Sequence, residues 1–340
     1  MHRILTAAAL ATSLISPAIA QGEVNIYSYR EPGLIDPMLK AFTETTGIKT
    51  NVVFANAGLN ERLAAEGANS PADLLLTTDA GLLSQAKAAG LTQPVTSAAL
   101  AALPAYARDA GNEWFGLTMR ARVVYVSKDR VKQDAITYEE LADPKWKGKI
   151  CVRSGQHVYN TALLATIIAH KGEAAAETWA QGVKANLARK PAGGDREAVR
   201  DVHSGLCDIA IGNTYYMALM MTNTKDPVQQ EWAKSVKMVF PNAADRGSHI
   251  NISGVALTKN APHKADAIKL MEFLASKDAQ QLYATANNEY PIDPAVAPSE
   301  LVKSWGTLKP DALPLDNIAK YRKRASEIMD KVAFDNGPGT

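Results

Sequence analysis

Apolar and polar positions follow a repeating order in the N-terminal part of the chain. Short apolar segments, which predict strands, alternate with segments whose apolar residues recur at helical spacing, which predict helices. The predicted strands cover 24–29, 49–54 and 73–78, and the predicted helices cover 34–45, 59–65 and 79–89. A β-α-β-α-β order implies a parallel sheet covered by helices on both faces, so the pattern predicts an α/β fold.

Further strand and helix patterns follow, and one of them is unusually long. A β-type run over 114–126 has the length of a strand that crosses between two lobes. Other predicted strands cover 149–153, 206–210, 236–240 and 254–257, and other predicted helices cover 161–170 and 196–203. From Lys264 onward the sequence predicts mostly helix, with a proline-rich interruption at 291–298.

The run Gly212-Asn213-Thr214-Tyr215-Tyr216 stands between a predicted strand and a predicted helix. Adjacent tyrosines point to opposite faces within a strand, whereas the turning backbone of a strand-to-helix junction lets them converge. Either Asn213 or Thr214 suits the N-cap of the helix. Ligands of α/β sheets bind at the carboxyl ends of strands, so this junction is a candidate binding site. Two ordinary core or rim aromatics are the alternative interpretation.

The N-terminus has the pattern of a secretory signal peptide. Met1-His2-Arg3 supplies a basic start, an apolar run follows, and Ala18-Ile19-Ala20 places small residues at the cleavage position. The apolar run is too short to span a membrane, so residues 1–20 are expected to be removed and the mature protein to be exported without being membrane-embedded. A formal net charge of +2 over 340 residues argues against an extended nucleic-acid-binding surface.

The sequence has two cysteines, Cys151 and Cys207. An exported protein meets an oxidising compartment, which favours a disulfide between them; two buried free thiols are the alternative. Each cysteine lies in a strand-like run and precedes a tyrosine, Tyr159 or Tyr215, by the same number of residues. Two such units side by side, joined by sulfur, would carry both tyrosines to one edge of the sheet.

The sequence lacks the motifs of common enzyme classes. It contains no Gly-x-Ser-x-Gly, His-Glu-x-x-His or Walker A motif. The histidines are scattered without zinc-ligand spacing, and we interpret His157 as a loop residue and His249 and His263 as surface residues. No nucleophile–base pair is visible, so an enzyme is the least supported class of function.

Three tyrosines at predicted strand ends, Tyr159, Tyr215 and Tyr216, suit a hard cation. A phenolate is a hard anionic oxygen, and the charge of a trivalent metal ion lets a phenol with a pKa near 10 ionise at neutral pH. Three phenolates balance a 3+ charge and leave coordination positions for a small anion or a group from the other lobe. Arg30 and Arg120 carry forked, permanent cations that can hold such an anion. The alternatives are a solvated loop residue for Arg30 and an inter-lobe salt bridge for Arg120.

Several motifs, in this order along the chain, resemble those of one known family. They are Tyr27-Ser28-Tyr29-Arg30, 66–73, 77–81, 120–123, 153–159 and Asn213-Thr214-Tyr215-Tyr216. Together with the signal peptide, they resemble the periplasmic ferric-ion-binding proteins of bacterial ABC iron importers over nearly the whole mature chain.

The resemblance implies a two-lobed periplasmic binding protein fold of type II, with the ligand cleft between the lobes. It implies lobe 1 over 21–119 and lobe 2 over 120–240. Residues 241–340 would return to lobe 1 and contribute C-terminal helices that pack across both lobes. The implied protein is a periplasmic monomer that delivers its cargo to an inner-membrane ABC permease.

The resemblance also implies a ligand set. By motif, Tyr159, Tyr215 and Tyr216 take the places of the iron-binding tyrosines, and Arg120 falls where a synergistic carbonate is expected. Related members often carry His-Tyr after the first-loop arginine, whereas this chain has Glu31-Pro32. Proline cannot bind a metal, and Glu31 is either a carboxylate ligand or a solvent-facing residue. The chain thus resembles the three-tyrosine branch, in which lobe 1 contributes few or no direct ligands.

The sequence therefore predicts a periplasmic Fe(III)-binding protein. The alternative is a protein of the same architecture that binds an anion, a polyamine or thiamine. In that case the tyrosines would form stacking walls instead of metal ligands.

Overall fold

The computed structural model describes residues 22–339 and contains a nine-stranded sheet with helices packed around it. The strands are β1 Glu23–Ser28, β2 Lys49–Phe54, β3 Leu74–Thr77, β4 Phe115–Ser127, β5 Ile150–Cys151, β6 Ile209–Asn213, β7 Val236–Val239, β8 Ile250–Leu257 and β9 Tyr290–Pro291. The helices are α1 Pro32–Thr46, α2 Leu59–Glu66, α3 Ala80–Ala88, α4 Ala98–Ala101, α5 Val158–Lys171, α6 Glu173–Ala185, α7 Asp195–His203, α8 Thr214–Met221, α9 Val228–Ser235, α10 Lys264–Ala275, α11 Lys277–Ala286, α12 Glu300–Lys303 and α13 Asp316–Lys331. The predicted signal peptide over 1–20 lies outside the described residues.

The strands follow the order β2-β1-β3-β8-β4-β6-β5, with β7 and β9 also paired to β4. Strand β1 is parallel to both β2 and β3, which confirms the parallel arrangement predicted for the N-terminal part. Strand β8 pairs antiparallel with β3 and with β4. The sheet is therefore mixed, because the chain returns from its second half to insert β8 between β3 and β4.

The long strand β4 connects the two parts of the sheet. Over 115–121 it pairs with β8, and from Arg122 onward it pairs with β6 and, further along, with β7. Every residue of β4 is buried. Its polar side chains, above all Arg120 and Arg122, therefore need partners inside the protein.

Two neighbouring parallel strands lead into the helices that carry the three tyrosines. Strands β5 and β6 are parallel, with Cys151 opposite Ala210. The chain leaves β5 and enters α5, while the last residue of β6, Asn213, is the N-cap of α8. Asn213 makes no capping hydrogen bond with its side chain, because its amide oxygen accepts one from Arg122 instead.

A disulfide joins Cys151 and Cys207, whose Cα atoms lie 5.9 Å apart, and this confirms the predicted pairing. Cys151 ends β5, and Cys207 precedes the start of β6 at Ile209. Both cysteines are buried. The disulfide therefore fixes the two strands beside each other just before the segments that carry the tyrosines.

Some predictions of local structure were wrong. The pattern places Tyr159 in a loop, whereas α5 begins at Val158 and holds Tyr159 in its first turn. Helix α8 begins at Thr214, so Tyr215 and Tyr216 both lie in its first turn, and Asn213, one of the two predicted N-cap residues, is confirmed. Aromatic and β-branched residues have modest intrinsic helix propensity, and packing against the rest of the fold overrides it at both helix starts. His249, predicted at the surface, is buried.

The C-terminal helix α13 packs against both α5 and α3. Arg322 of α13 forms a buried ion pair with Asp79, the N-cap of α3. Gly81 leaves room for this contact, since a Cβ atom there would lie 2.5 Å from the Arg322 Nη1 atom. Helix α13 therefore ties the helix that carries Tyr159 to the first part of the sheet.

Candidate metal centre

The main cleft has a cavity volume of about 780 Å³ and is lined by side chains from both parts of the sheet. The residues that follow β1 and β3 line one side, and the residues that follow β5 and β6 line the other. The lining includes every metal and anion ligand that the sequence predicts, namely Tyr159, Tyr215, Tyr216, Arg30, Arg120 and Glu31. The fold thus brings the predicted site residues to one place.

The three tyrosines form a compact cluster. The hydroxyl oxygens of Tyr159 and Tyr215 lie 3.1 Å apart and share a hydrogen bond. The ring centroids of Tyr215 and Tyr216 are 4.3 Å apart, with the rings tilted by 35°. Adjacent residues can converge in this way because both lie in the first turn of α8, directly after β6. Three phenol oxygens in one cleft are a suitable ligand set for a hard cation.

The surroundings of Tyr215 and Tyr216 disfavour the ionised form of both phenols. Burial raises the pKa of Tyr215 well above its usual value, and Tyr159 and Tyr216 raise it further, whereas Arg120 lowers it. Burial also raises the pKa of Tyr216, and Tyr159 and Asp195 add to the effect. A trivalent cation would supply the charge that lets them ionise.

Arg120 is buried beside the tyrosines. Its Cζ atom lies 5.6 Å from the ring centroid of Tyr159, and its Nη2 donates to the backbone carbonyl of Thr78. Its Nη1 has no hydrogen-bond acceptor among residues 22–339. No ion pair of Arg120 occurs in that part of the chain, so the inter-lobe salt bridge considered for it is not formed there. A buried guanidinium with an unused donor is suited to an anion.

Arg30 is buried, so the interpretation as a solvated loop residue was wrong. Its guanidinium pairs with Glu289, donates to the Ser253 hydroxyl, and donates from Nε to the Leu34 carbonyl at 3.2 Å. The neighbouring Glu31 has an exposed side chain at the wall of the cleft. Most hydrogen-bond donors of Arg30 are thus engaged within the protein. The role of Glu31 as a metal ligand stays a prediction.

A buried polar network holds the segments that carry the tyrosines. Arg122 donates to Asp195 at 2.5 Å, to Asn213 at 3.1 Å and to Asn160 at 2.8 Å. Asp195 also accepts from the backbone N–H of Asn213 at 2.9 Å, and it faces Arg153 at 3.6 Å. These contacts join the starts of α5, α7 and α8 to β4. The network was not predicted from the sequence. Arginine and asparagine at positions of predicted buried strands were a signal that buried polar contacts form there.

Arg153 is a further cleft residue that the sequence reasoning did not assign. Its Cζ atom lies 5.3 Å from the ring centroid of Tyr159. Burial lowers the pKa of Arg153, but Asp195, Tyr216 and Tyr159 raise it by more, so the net pKa is raised. Arg153 is therefore a further permanent cation beside the phenol cluster, in addition to Arg120 and Arg122.

His157 lies in the loop before α5, as the sequence predicts, and its side chain caps that helix. Its Nδ1 accepts from the backbone N–H of Tyr159 at 3.3 Å, and the two rings meet edge to face with centroids 4.5 Å apart. Burial, with Arg153 next in size, lowers the pKa of His157 to about 3. Within residues 22–339, no group of three or more His, Cys, Asp or Glu side chains is placed to hold a metal ion.

A two-lobed α/β fold with a ligand cleft between the lobes defines the periplasmic solute-binding proteins. The model of one family, described as bacterial extracellular solute-binding protein, matches residues 69–306. The chain belongs to this family.

Relatives with iron-related names cover nearly the whole chain. Iron uptake protein A2 of Synechocystis sp. is 43% identical over 316 residues, which are 92% of this chain and 90% of the relative. The solved structure of a Bordetella ferric binding protein is 52% identical, with a TM-score of 0.85 over 92% of this chain and 100% of that one. A Trichodesmium protein solved with iron and citrate ligands is 40% identical, with a TM-score of 0.87 and the same coverage of both chains. These similarities confirm the family resemblance and the two-lobed fold.

The relatives also bear on the class of function. Their names describe iron uptake and ferric-ion binding, which are functions of transport proteins. Among the described residues, no helix is both long enough and apolar enough to cross a bilayer.

Proposed function

We propose that the protein captures Fe(III) in the periplasm through the phenolate oxygens of Tyr159, Tyr215 and Tyr216, with a synergistic anion. It then delivers the ion to an inner-membrane ABC importer. The observation that carries the proposal is the convergence of the three tyrosines in one cleft. Hard, anionic oxygens suit a trivalent ion, and three phenolates cancel its charge. The iron-related names of the relatives support the same cargo.

Titration of the purified mature protein with ferric citrate tests this function. Charge transfer from phenolate to Fe(III) absorbs visible light, so we expect an orange-red band that saturates at one ion per protein. A protein that binds a polyamine, thiamine or a simple anion in this cleft would stay colourless. Absence of the band at saturating iron would reject the proposal.

A synergistic anion completes the coordination shell. Fe(III) takes about six donor atoms, and the tyrosines supply three. A bidentate carbonate would add two oxygens, and the unused Nη1 of Arg120 is available to balance its charge. The exposed Glu31 is the competing source of a ligand from lobe 1.

The substitution Arg120→Ala distinguishes between carbonate and Glu31 as the source of the remaining iron ligands. If carbonate completes the shell, the substitution is expected to weaken iron binding about 10- to 100-fold, the usual loss when an outer-shell partner is removed. Stripping bicarbonate from the buffer should weaken binding in the same way, while Glu31→Gln should change it little. The measurement is competitive iron titration against citrate, followed at the visible band.

Arg196→Ala is the matched control, since Arg196 also lines the cleft and the substitution removes the same charge. Citrate and bicarbonate are varied separately, because the Trichodesmium relative carries citrate with its iron. If Glu31→Gln abolishes tight binding while removal of both anions has no effect, lobe 1 supplies the missing ligand and the anion model fails.

Iron binding is expected to release protons and to weaken as the pH falls. The pKa values of Tyr215 and Tyr216 are raised, chiefly by burial, so both phenols carry protons at neutral pH until iron displaces them. Protons therefore compete with iron more strongly at lower pH. Loading near pH 7 with a pH indicator should show about one proton released per tyrosine ligand. Tyr215→Phe should release about one proton fewer, and equal release would remove Tyr215 from the ligand set.

The remaining parts of the proposal concern location and assembly. Membership in the extracellular solute-binding family supports a periplasmic carrier that meets an ABC permease. We propose that it acts as a monomer, with lobe 1 over 21–119, lobe 2 over 120–240 and the C-terminal return over 241–340. The change of partners of β4 at Arg122 supports a boundary close to that between the first two ranges.

A further inference from the structure

The loop that leads from β5 to Tyr159 is held from two sides. On the side of the buried polar network, the Asn160 amide donates to the Ser154 carbonyl at 2.9 Å. On the other side, the end of the chain contacts residues 154–156 through side-chain and backbone groups. We call this part, residues 326–337, the C-terminal clasp. It consists of the end of α13 and the short 3₁₀ turn that follows.

Asp335 makes the central contact of the clasp. One of its carboxylate oxygens accepts a hydrogen bond from the Ser154 hydroxyl, and the other accepts one from the backbone N–H of Gly155 at 2.6 Å. Hydrogen bonds to a carboxylate are stronger than those between neutral groups. Two consecutive residues of the loop are therefore fixed by one side chain, which sets both the position and the orientation of the loop.

Gln156 adds a second set of contacts. Its side-chain nitrogen donates to the Ser326 carbonyl at 3.0 Å and to the Asp330 carboxylate at 2.7 Å. Its side-chain oxygen accepts from the Ser326 hydroxyl at 2.6 Å. Gln156 is exposed, so water competes for these hydrogen bonds and their net contribution is modest. Asp335 is therefore the more informative residue to change.

The clasp also packs closely against the loop. A Cβ atom on Gly155 would lie 2.7 Å from the Phe334 ring and 3.0 Å from the Met329 sulfur, so only glycine fits there. After α13 the chain turns through Ala333, whose φ of 50° is uncommon for a residue with a Cβ atom. A residue persists in this conformation where the surrounding contacts enforce it. The turn brings Phe334 and Asp335 to the loop.

A short chain of hydrogen bonds connects the clasped loop to Tyr159. The backbone N–H of His157 donates to the Ser154 carbonyl at 3.1 Å. The Nδ1 atom of His157 in turn accepts from the backbone N–H of Tyr159 at 3.3 Å. A displacement of residues 154–156 would therefore displace the first turn of α5 and the phenol that it carries.

The other two tyrosines do not depend on the clasp. Among residues 22–339, no hydrogen bond joins the clasp to residues 212–217, where Asn213 is held by Arg122 and Asp195. Tyr215 is buried, whereas Tyr159 is only partly buried and has less packing to keep it in place. The clasp therefore acts on one member of the tyrosine cluster.

We infer that Asp335 is a positioning residue of the metal centre. Through the loop it holds Tyr159 where its hydroxyl oxygen meets that of Tyr215, 3.1 Å away. The inference rests on the proposed function, since the position of Tyr159 matters for iron only if its oxygen is a ligand. Without the carboxylate the loop samples other arrangements, and the apparent iron affinity falls with the fraction of molecules that keep Tyr159 in place.

The substitution Asp335→Ala removes both acceptors and tests the inference. If about one molecule in ten keeps the binding geometry, competitive titration against citrate will show iron binding weakened about 10-fold. Asp335→Asn keeps one acceptor oxygen and should recover part of this loss. Glu327→Ala is the matched control, because it removes an exposed carboxylate of α13 that pairs with Arg324, and the affinity should not change. Circular dichroism checks that each variant is folded.

A double-mutant comparison distinguishes positioning from a general loss of stability. If Asp335 acts through Tyr159, Asp335→Ala should weaken iron binding in the Tyr216→Phe background and have no further effect in the Tyr159→Phe background. Equal losses in the two backgrounds would overturn the inference, and so would an unchanged affinity of Asp335→Ala itself.

Amide hydrogen exchange gives a readout that needs no iron. In the iron-free protein, Asp335→Ala should speed exchange over residues 154–160 and leave it unchanged over 212–218, while Glu327→Ala should alter neither. Equal exchange over 154–160 in the variant and the unmodified protein would contradict the inference. This measurement decides where a double variant binds iron too weakly to titrate.

Two further results keep the test decisive. If Asp335→Ala does not fold, Ser154→Ala removes one of the two hydrogen bonds from the side of the loop, and the same measurements apply. A normal visible band with an unchanged affinity of the folded variant rejects the positioning role alone. Absence of the band in the unmodified protein rejects the iron proposal, so the two failures are distinguishable.

Discussion

Tyr216→Phe is expected to bleach or shift the visible band of the iron-loaded protein and to cause a large loss of iron affinity. The substitution removes one anionic oxygen and almost no volume, so the fold should survive. Loss of an outer-shell partner costs a metal site about 10- to 100-fold in affinity, and loss of a direct ligand should cost more. Tyr159→Phe and Tyr215→Phe should behave alike. Spectral titration with ferric citrate measures both the visible band and the iron affinity. Far-UV circular dichroism checks that each variant is folded.

Tyr29→Phe is the matched control for these variants. Tyr29 also lines the cleft, but its hydroxyl is held by Asn60, from whose backbone N–H it accepts at 2.9 Å. Its loss should leave the band and the iron affinity close to those of the unmodified protein. If all three single variants at Tyr159, Tyr215 and Tyr216 keep the native band and affinity, the tyrosine cluster is not the iron site.

The convergence of the tyrosines could be predicted because it depends on local order along the chain. Tyr159 and Tyr215 follow short apolar strands at equal distances after the two cysteines, and parallel strands end at the same edge of a sheet. The structure confirms that β5 and β6 are neighbours and that the two hydroxyl groups meet. Their role as iron ligands stays a prediction.

The partners of the arginines could not be predicted, because they come from distant parts of the sequence. Arg30 pairs with Glu289, 259 positions away, and Asp195 reaches Arg122 from 73 positions away. No periodicity or motif in the sequence indicates ion pairs between such distant residues, since only the folded sheet brings the partners together. Burial of Arg30 excludes the interpretation as a solvated loop residue, while its role in holding an anion stays a prediction.

Helix α6 is a different case, since the sequence carried a signal that the prediction did not use. Its buried residues Ala176, Trp179, Ala180 and Val183 follow helical spacing, and Glu173 lies in its first turn. The amphipathic pattern is therefore present. The start of α5 is harder to predict from the sequence. The aromatic and β-branched residues there have only modest helix propensity, and packing decides their conformation.

Removal of the disulfide is expected to reduce stability far more than iron affinity. The bond between Cys151 and Cys207 closes a loop across a sequence separation of 56. On the chain-entropy model, the double substitution to serine should lower the free energy of unfolding by about 4 kcal/mol. The tyrosines are held independently by the Arg122–Asp195 network, so the visible band should persist at temperatures where the variant is folded.

Urea unfolding of the iron-free protein and of the double serine variant measures the stability difference, with iron titration at low temperature as the second readout. Equal unfolding midpoints would contradict the entropic contribution of the bond. Loss of the band in a folded variant would show that the disulfide positions Tyr159 and Tyr215 directly. We expect neither outcome, because Asn160 ties α5 to Arg122 and Asn213 ties α8 to both Arg122 and Asp195, without help from sulfur.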